Sequence, residues 1–315
     1  MRRTLFEDVH EDFRSSFRTF LEREVVGEEG RYGDWERAGI VPREVFARAG
    51  AGGFLGMSVP ERYGGAGAED FRFNLIVGEE TERAGVGSFG LGITLQNDIC
   101  LPYFLSYCSE AQRERWLPGI ASGELITAIA MSEPGMGSDL AGIATRARRE
   151  DGHYVVDGTK TFITNGINAD LVITAVRTGE ARHRGLSLLV LERGMEGFSR
   201  GRKLEKIGQH GQDTAELSFA GVRVPLENLL GKEGEGFATS SPTSPRSVCR
   251  SPPRRWPPPR RRCRGRSTTC ASGAPSASRS APSRARASRS PRCARKLTSR
   301  ARTSTAACRS STRAR

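Results

Sequence analysis

The chain has 315 residues and a formal net charge of +13, a length that suggests about two domains. A strongly basic protein is a candidate for binding nucleic acid. The positive charge is concentrated at one end, however. Twenty Arg and one Lys lie in residues 238–315, which contain no Asp or Glu, so the 28 basic and 36 acidic residues before them carry a net charge of −8. The charge therefore gives no reason to read residues 1–237 as a nucleic-acid-binding protein.

Residues 238–315 also lack the material for a hydrophobic core. Their only large apolar residues are Val248, Trp256 and Leu297, and they hold 10 of the 16 prolines. Such a segment buries too little apolar surface to offset chain entropy, so we expect a disordered, Arg/Ser/Pro-rich tail. Residues 1–237 are long enough to form a real core.

The cysteines and the N-terminal sequence bear on the cellular compartment. Five of the seven cysteines lie in the tail without metal-binding spacing, which leaves Cys100 and Cys108 in the remainder and argues against a secreted disulfide scaffold. The first residues contain acids and no apolar run typical of a signal peptide. No apolar run approaches the length of a membrane span. We therefore expect a cytoplasmic protein that contacts no membrane.

The first part of the sequence has the periodicity of helices. Phenylalanine and other apolar residues recur every three or four positions from Phe6 to Leu21, which predicts an amphipathic helix. Pro42 opens a second helix that ends in glycines, and a longer helix follows over residues 70–85. Ser109 is placed to cap another helix. Residues 1–126 are predicted to form an all-α domain.

The period changes after residue 126. The segment HYVVDGTKTFITNG has two β-branched runs around Asp157-Gly158, which predicts a hairpin. Further strand-like runs, LVITAVRT, GLSLLVLE and TAELSFAGVRVP, are separated by turns. Residues 127–237 are predicted to form a β-barrel-like domain, and helices followed by strands indicate the α+β class.

Two short stretches have residues suited to ligand binding. In AMSEPGMGSDLAG, residues 130–142, glycines hold Ser132 and Ser138 in a loop whose backbone N–H groups could meet an anion or a cofactor; a purely structural loop is an equal alternative. In KTFITNG, residues 160–166, Phe162 and Thr164 share one face of a strand and could meet a planar ring. Taken alone, that second pattern favours Phe162 as a core residue.

Together these stretches resemble the acyl-CoA dehydrogenase family. The sequences VPERYGG (59–65), MSEPGMGSD (131–139), GTKTFITNG (158–166) and KIGQHGQDTAELSFAGVRVPLENLLGKEGEGF (206–237) follow the family's order and spacing. The resemblance covers roughly residues 1–237. Met136 departs from the family pattern, which usually has a small residue between the two glycines.

The resemblance implies a flavoenzyme that uses FAD, with a helical domain, a middle β domain and a C-terminal four-helix bundle. It implies FAD contacts by the following residues: Ile129, Ala130, Met131, Ser132, Gly137, Ser138, Phe162, Ile163 and Thr164. Ser132 and Thr164 would hydrogen-bond the isoalloxazine, Phe162 would pack on its face, and Ser138 would also contact the substrate. The implied partners are an acyl-CoA substrate, an electron-transferring flavoprotein and, for the intact family fold, three further copies in a homotetramer.

The same resemblance places the family's catalytic base, a glutamate, in the C-terminal domain. No Asp or Glu follows Glu235 in this chain, so no catalytic base is assigned and the chain as written is expected to be inactive. We interpret residues 238–315 as the product of a reading-frame shift. Read one base out of register, TTCASGAPSASRSAPSR (268–284) permits YVRERRAFGKPIGAFQ, which resembles the missing bundle.

Two other interpretations stay open. The chain could be a non-catalytic remnant that binds flavin or acyl-CoA. It could also bind nucleic acid through the phosphate-attracting Arg residues of its tail, although Trp256 is the only aromatic residue there for base stacking.

Overall fold

The computed structural model describes residues 5–27, 31–181 and 185–236, and in them a helical domain precedes a sheet domain. This order confirms the predicted α+β class. The predicted tail lies outside the described residues. The helices are α1 (Asp8–Phe20), α2 (Arg31–Ala38), α3 (Arg43–Ala51), α4 (Arg72–Ala84), α5 (Gly87–Thr94), α6 (Leu101–Tyr107) and α7 (Glu110–Ser122). Two π-helical segments, Leu21–Val26 and Leu95–Cys100, continue α1 and join α5 to α6.

Aromatic side chains form the core of the helical domain. The helical spacing of α1 buries Phe17 and Phe20 against Phe54, with ring centroids 4.9 and 5.1 Å from that of Phe54. The predicted cap of α7 is confirmed, because the Ser109 hydroxyl accepts a hydrogen bond from the Gln112 backbone N–H at 3.3 Å. No helix in the described parts of the chain is both long and apolar enough to cross a membrane.

The second domain is one mixed sheet. Its strands are β1 (Thr127–Ala130), β2 (Arg146–Glu150), β3 (His153–Thr164), β4 (Leu171–Arg177), β5 (Leu186–Glu192), β6 (Phe198–Lys203), β7 (Thr214–Pro225) and β8 (Leu229–Leu230). The strand order is β6-β7-β3-β2-β4-β5-β8, and β1 lies parallel to β4. Strands β4 and β5 are almost entirely buried, as their continuous apolar runs predict.

The hairpin predicted at Asp157-Gly158 is wrong. Residues 153–164 form a single strand, and Gly158 lies at an irregularity in its pairing with β7. A Cβ atom at Gly158, where φ is +150°, would come within 2.5 Å of the Thr145 Oγ1 atom, so the glycine permits a close approach of two chain segments. The turn is instead at Asp151-Gly152, where β2 passes into β3. Strand β2 was not predicted, because its sequence, RARRE, is mostly charged.

Buried polar side chains join the two domains. Gln96 donates to the Ile120 carbonyl oxygen at 3.1 Å and accepts a hydrogen bond from the Thr127 N–H at 3.2 Å. Asp170, at the start of β4, accepts hydrogen bonds from Arg43 of α3 at 2.7 Å and from Arg193 at 2.9 Å. These contacts fix β1 and β4 relative to the helices.

Candidate functional site

The first group of predicted site residues lies on β1 and the loop after it. Ile129, Met131 and Ser132 are half-buried, and Gly137 and Ser138 are exposed. Ala130 has no exposed surface because it faces the core of the sheet domain. Ala130 can therefore reach a ligand only through its backbone.

The second group lies at the end of β3, where Phe162 has an unusual conformation. Its φ angle is +60°, in the left-handed region that non-glycine residues rarely adopt, and 69 % of the residue is exposed. Such a conformation costs on the order of 1–3 kcal/mol and persists where the surroundings impose it. A large exposed aromatic residue in a strained conformation marks Phe162 as a functional candidate.

A shift in the pairing of β3 explains why Phe162 faces outward. The register with β7 shifts between Lys160 and Ile163, and Lys160 and Thr161 are both buried although they are consecutive. After this shift Ile163 points into the core, with 2 % exposure, while Phe162 and half-buried Thr164 lie on the accessible side. A bulge commonly redirects a side chain near a functional site in this way.

The two groups are joined directly. The Thr161 N–H donates to the Ser132 carbonyl oxygen at 2.9 Å, so Ser132 lies beside the chain segment that carries Phe162. We call Met131, Ser132, Phe162 and Thr164, four of the predicted FAD contacts that have accessible surface, the flavin strip. Beyond the strip, Glu133 and Met136 exchange two backbone hydrogen bonds of 3.1 Å that form a tight turn.

A buried ion pair lies behind the strip. The Lys160 Nζ atom is 2.8 Å from the Glu133 Oε1 atom, and these side chains are 0 % and 6 % exposed. Glu133 also accepts hydrogen bonds from the backbone N–H groups of Ala144 and Thr145 at 2.8 and 3.0 Å. Burial opposes ionisation of Glu133, but the hydrogen bonds it receives, above all from Lys160, outweigh burial and lower the pKa of Glu133 below its ordinary value.

A second buried network follows Thr164. Asn165, with φ of +59°, donates from Nδ2 to the Thr127 carbonyl oxygen at 3.1 Å and accepts from the Gln212 Nε2 atom at 2.9 Å. Asp213 accepts hydrogen bonds from the backbone N–H groups of Ile167 and Asn168 at 2.7 and 2.9 Å. Burial raises the pKa of Asp213. The segment from Phe162 to Thr164 is thus held by polar contacts at both ends.

The residues of the flavin strip fit an isoalloxazine ring. An exposed aromatic face suits packing against a planar ring, and the Ser132 and Thr164 hydroxyl groups can donate to polar atoms on its edge. Ile163, being buried, can contribute only backbone atoms. Which residues contact FAD stays a prediction, and the exposed, strained Phe162 is the observation that favours it most.

The sequence analysis did not identify the buried residues that support the flavin strip. Glu133, Lys160, Asn165, Gln212 and Asp213 all belong to the quoted motifs, but none was singled out. One feature of the sequence bears on Lys160. Lys160 and Phe162 are two positions apart in β3 and would share one face of a regular strand, so only a bulge could have placed their side chains on different faces.

Family profiles, a related sequence and solved structures agree on the family of this chain. The profile of the acyl-CoA dehydrogenase N-terminal domain matches residues 7–124, and that of the middle domain matches residues 128–222. The chain is 45 % identical over 238 residues to the long-chain specific acyl-CoA dehydrogenase, mitochondrial, of Sus scrofa, which covers 75 % of this chain and 54 % of the relative. The chain therefore spans about half the length of that relative.

Solved structures show the same similarity. The acyl-CoA dehydrogenase of Geobacillus kaustophilus superposes with a TM-score of 0.75 at 48 % identity, over 79 % of this chain and 66 % of that one. An acyl-CoA dehydrogenase of Bacillus anthracis, complexed with FAD, has a TM-score of 0.71 at 29 % identity, over 79 % and 42 % of the two chains. With its two domain profiles and these relatives, the chain belongs to the acyl-CoA dehydrogenase family.

Proposed function

We propose that this chain binds FAD on the flavin strip and presents it to an acyl-CoA thioester. The observation that carries the proposal is Phe162, which is 69 % exposed at a φ of +60° beside two accessible hydroxyl-bearing residues, Ser132 and Thr164. Packing a ring against Phe162 would remove apolar surface from water and offset the strain of its backbone. FAD is also bound by the similar enzyme of Bacillus anthracis.

In this proposal each residue of the chain has a limited role. Phe162 packs on the face of the ring, Ser132 and Thr164 donate hydrogen bonds to its edge, and exposed Ser138 contacts the thioester substrate. In an enzyme that also has the catalytic base, bound FAD would supply the acceptor for a hydride from the β-carbon of the acyl group. The backbone of Ala130 and Ile163 completes the wall, because both side chains face the core.

The same proposal assigns no catalytic base to this chain. In the family the base is a glutamate of the C-terminal domain, and residues 237–315 contain no Asp or Glu. We expect the α-proton of the substrate to stay in place, so that FAD binds but dehydrogenation does not proceed.

Reconstitution tests both halves of the proposal. The purified chain would be saturated with FAD, freed of unbound flavin and mixed without oxygen with a long-chain acyl-CoA, while the visible flavin absorbance is followed. We expect retained flavin and no bleaching. Bleaching would overturn the inactivity, and flavin that washes away would overturn the FAD site.

We further propose that residues 238–315 result from a shifted reading frame. An unshifted frame would encode the acid-bearing helices that the family requires, and that enzyme would pass electrons to an electron-transferring flavoprotein as a cytoplasmic homotetramer. Resequencing the DNA across the codons for Gly234 to Ser247 tests the shift. A missing or extra base with an open frame beyond it is expected, and a confirmed sequence would contradict the proposal.

The charge distribution supports one alternative function. All of the net positive charge lies in residues 238–315, with 21 basic and no acidic residues. A nucleic-acid-binding arm would give binding that weakens steeply with salt and disappears when residues 238–315 are deleted. FAD affinity that is unchanged by the same deletion would separate the two functions.

A further inference from the structure

The ion pair between Glu133 and Lys160 is almost fully enclosed, yet neither residue is among the predicted contacts with FAD. The pair carries two formal charges into the interior at a separation of 2.8 Å. Replacing a buried pair with uncharged groups is often neutral or stabilising, so such a pair is weak evidence for stability alone. The hydrogen bonds that Glu133 and Lys160 make to the backbone indicate a further role for the pair.

The backbone partners of those hydrogen bonds lie at the two ends of one loop. Lys160, on β3, donates from Nζ to the Met131 carbonyl oxygen at 3.2 Å, at the start of the loop. Glu133 accepts from the Ala144 and Thr145 N–H groups at its end. The pair therefore fastens both ends of residues 131–145 to the strand that carries Phe162.

Between these two ends, residues 134–139 are mostly exposed, although Met136 packs against the apolar core. Pro134, Gly135, Gly137, Ser138 and Asp139 are exposed. A Cβ atom built on Gly135 or Gly137 would meet no other atom within 4 Å, so open space surrounds both glycines. Arg177 of β4 also holds the loop, donating to the Ala141 and Ile143 carbonyl oxygens at 2.7 and 2.9 Å. The Glu133–Lys160 pair accounts for the contacts at Met131, Ala144 and Thr145.

We propose that Glu133 and Lys160 are positioning residues that hold the loop of residues 131–145 against β3, and so set the place of Ser132 beside Phe162 and the place of Ser138 within the loop. The part of this inference that concerns the flavin rests on the proposed function. The part that concerns the loop does not, since it follows from contacts within the chain.

The test uses the full-length chain and three variants. Lys160→Met removes one partner, and Glu133→Gln with Lys160→Met removes both charges but keeps a side-chain oxygen for one of the two loop amides. Asn228→Ala is the matched control, because it also removes a buried polar contact. Asn228 is fully buried and donates to the carbonyl oxygen of Val190, in β5, at 2.8 Å. If Lys160→Met does not fold, Glu133→Gln alone gives the same comparison.

Two quantities would be measured, and the first needs no flavin. Hydrogen exchange of residues 131–145 is compared with that of β4 and β5 in the FAD-free chain. We expect exchange in the loop to rise by roughly tenfold or more in both Lys160 variants, while β4 and β5 keep their protection. Asn228→Ala is expected to leave the exchange of the loop unchanged.

The second quantity is the dissociation constant for FAD. We expect it to rise by roughly tenfold in the double variant, the scale on which outer-shell partners act at metal sites. It should rise even where the double variant regains stability that Lys160→Met alone loses. A purely structural pair would instead give an FAD affinity that follows stability and recovers with it.

The outcomes separate the two proposals. Unchanged loop exchange in the Lys160 variants, or exchange that rises equally in β4 and β5, would overturn the positioning role. A wild-type chain that binds no FAD would overturn the proposed function, and the exchange of the loop would still decide whether the pair positions it.

Discussion

Two phenylalanines show how the helical domain and the sheet domain differ. Phe54 is 6 % exposed among the helices, where its ring contacts those of Phe13, Phe17 and Phe20. Phe162 is 69 % exposed in the sheet domain and has a left-handed backbone. The first arrangement removes apolar surface from water, and the second leaves it in water at a conformational cost. A chain that carries such a cost at an exposed aromatic residue points to a ligand there.

The buried polar side chains of the two domains also differ in what they support. In the helical domain buried Asn97 joins two elements of that domain, accepting from the Gly56 N–H at 3.0 Å and donating to the Phe54 carbonyl oxygen at 2.9 Å. In the sheet domain the Glu133–Lys160 pair and the Asn165 network lie on either side of the segment that carries Phe162. Buried polar groups thus hold the core in one domain and the site in the other.

The largest expected effect is on the helical core. Replacing Phe54 with Ala removes a ring packed by three others and should lower the free energy of unfolding by about 3–5 kcal/mol. Urea denaturation followed by circular dichroism measures the change. Phe162→Ala is the control at an exposed position and should change stability by less than about 1 kcal/mol. Similar losses of unfolding free energy in the two variants would contradict the difference in packing between Phe54 and Phe162.

A buried carboxylate of the helical domain gives the next effect. Glu80 is 4 % exposed and accepts three hydrogen bonds of 2.9–3.2 Å from Arg14 and Arg18. Burial alone would raise the pKa of Glu80, but the two Arg side chains outweigh it and lower that pKa. Glu80→Gln should therefore cost about 2 kcal/mol at neutral pH.

The pH dependence of that cost follows from the sign of the shift. The folded pKa of Glu80 lies below the unfolded one, so its stabilisation is present above the unfolded pKa and is lost as the pH falls through the folded pKa. The difference between wild type and Glu80→Gln should shrink over that acid range. Exposed Glu11, paired with Arg14 at 3.1 Å, provides the control Glu11→Gln, which should change little. A difference that stays constant down to low pH would argue against the shift.

A smaller effect tests the strain at Phe162. Glycine adopts positive φ readily, whereas alanine does not. Phe162→Gly should therefore be more stable than Phe162→Ala by about 1 kcal/mol, although both lack the ring. Both variants should lose FAD affinity to the same extent. If alanine proves as stable as glycine, the backbone at this position is not strained.

The smallest effect is expected from an enlarged ring. Phe162→Trp keeps an exposed aromatic face, so stability should change by less than about 0.5 kcal/mol. Tryptophan fluorescence during FAD titration, compared with wild type to subtract the other three tryptophans, should show additional quenching. No additional quenching while FAD binds would place the flavin elsewhere.

Much of the fold could be predicted because local pattern and burial agree. The spacing of Phe17 and Phe20 predicted the buried face of α1, Ser109 predicted a helix start, and the runs LVITAVRT and GLSLLVLE predicted strands β4 and β5. The hairpin at Asp157-Gly158 could not be excluded in the same way. Asp151-Gly152 carries the same turn signal, and the choice between them depends on long-range pairing of β3 with β7.

The candidate site residues came from the resemblance to the family and stay a prediction, whereas the buried residues that support them could not be predicted. Phe162 and Ser132 stood out through the resemblance to the family, while residue pattern alone favoured Phe162 as a core residue. The pairing of Glu133 with Lys160 joins positions 27 residues apart, and no local pattern specifies it. Whether a charged residue faces inward depends on the bulge in β3, which only the folded chain determines.

Calorimetric titration of FAD into the purified full-length chain tests the central claim most directly, with Phe162→Ala as the comparison. We expect one FAD per chain for wild type and an affinity lower by roughly tenfold or more without the ring, equivalent to about 1.4 kcal/mol of binding free energy. Equal affinities, or no binding to the wild-type chain, would contradict the claim that Phe162 and its neighbours form the flavin site.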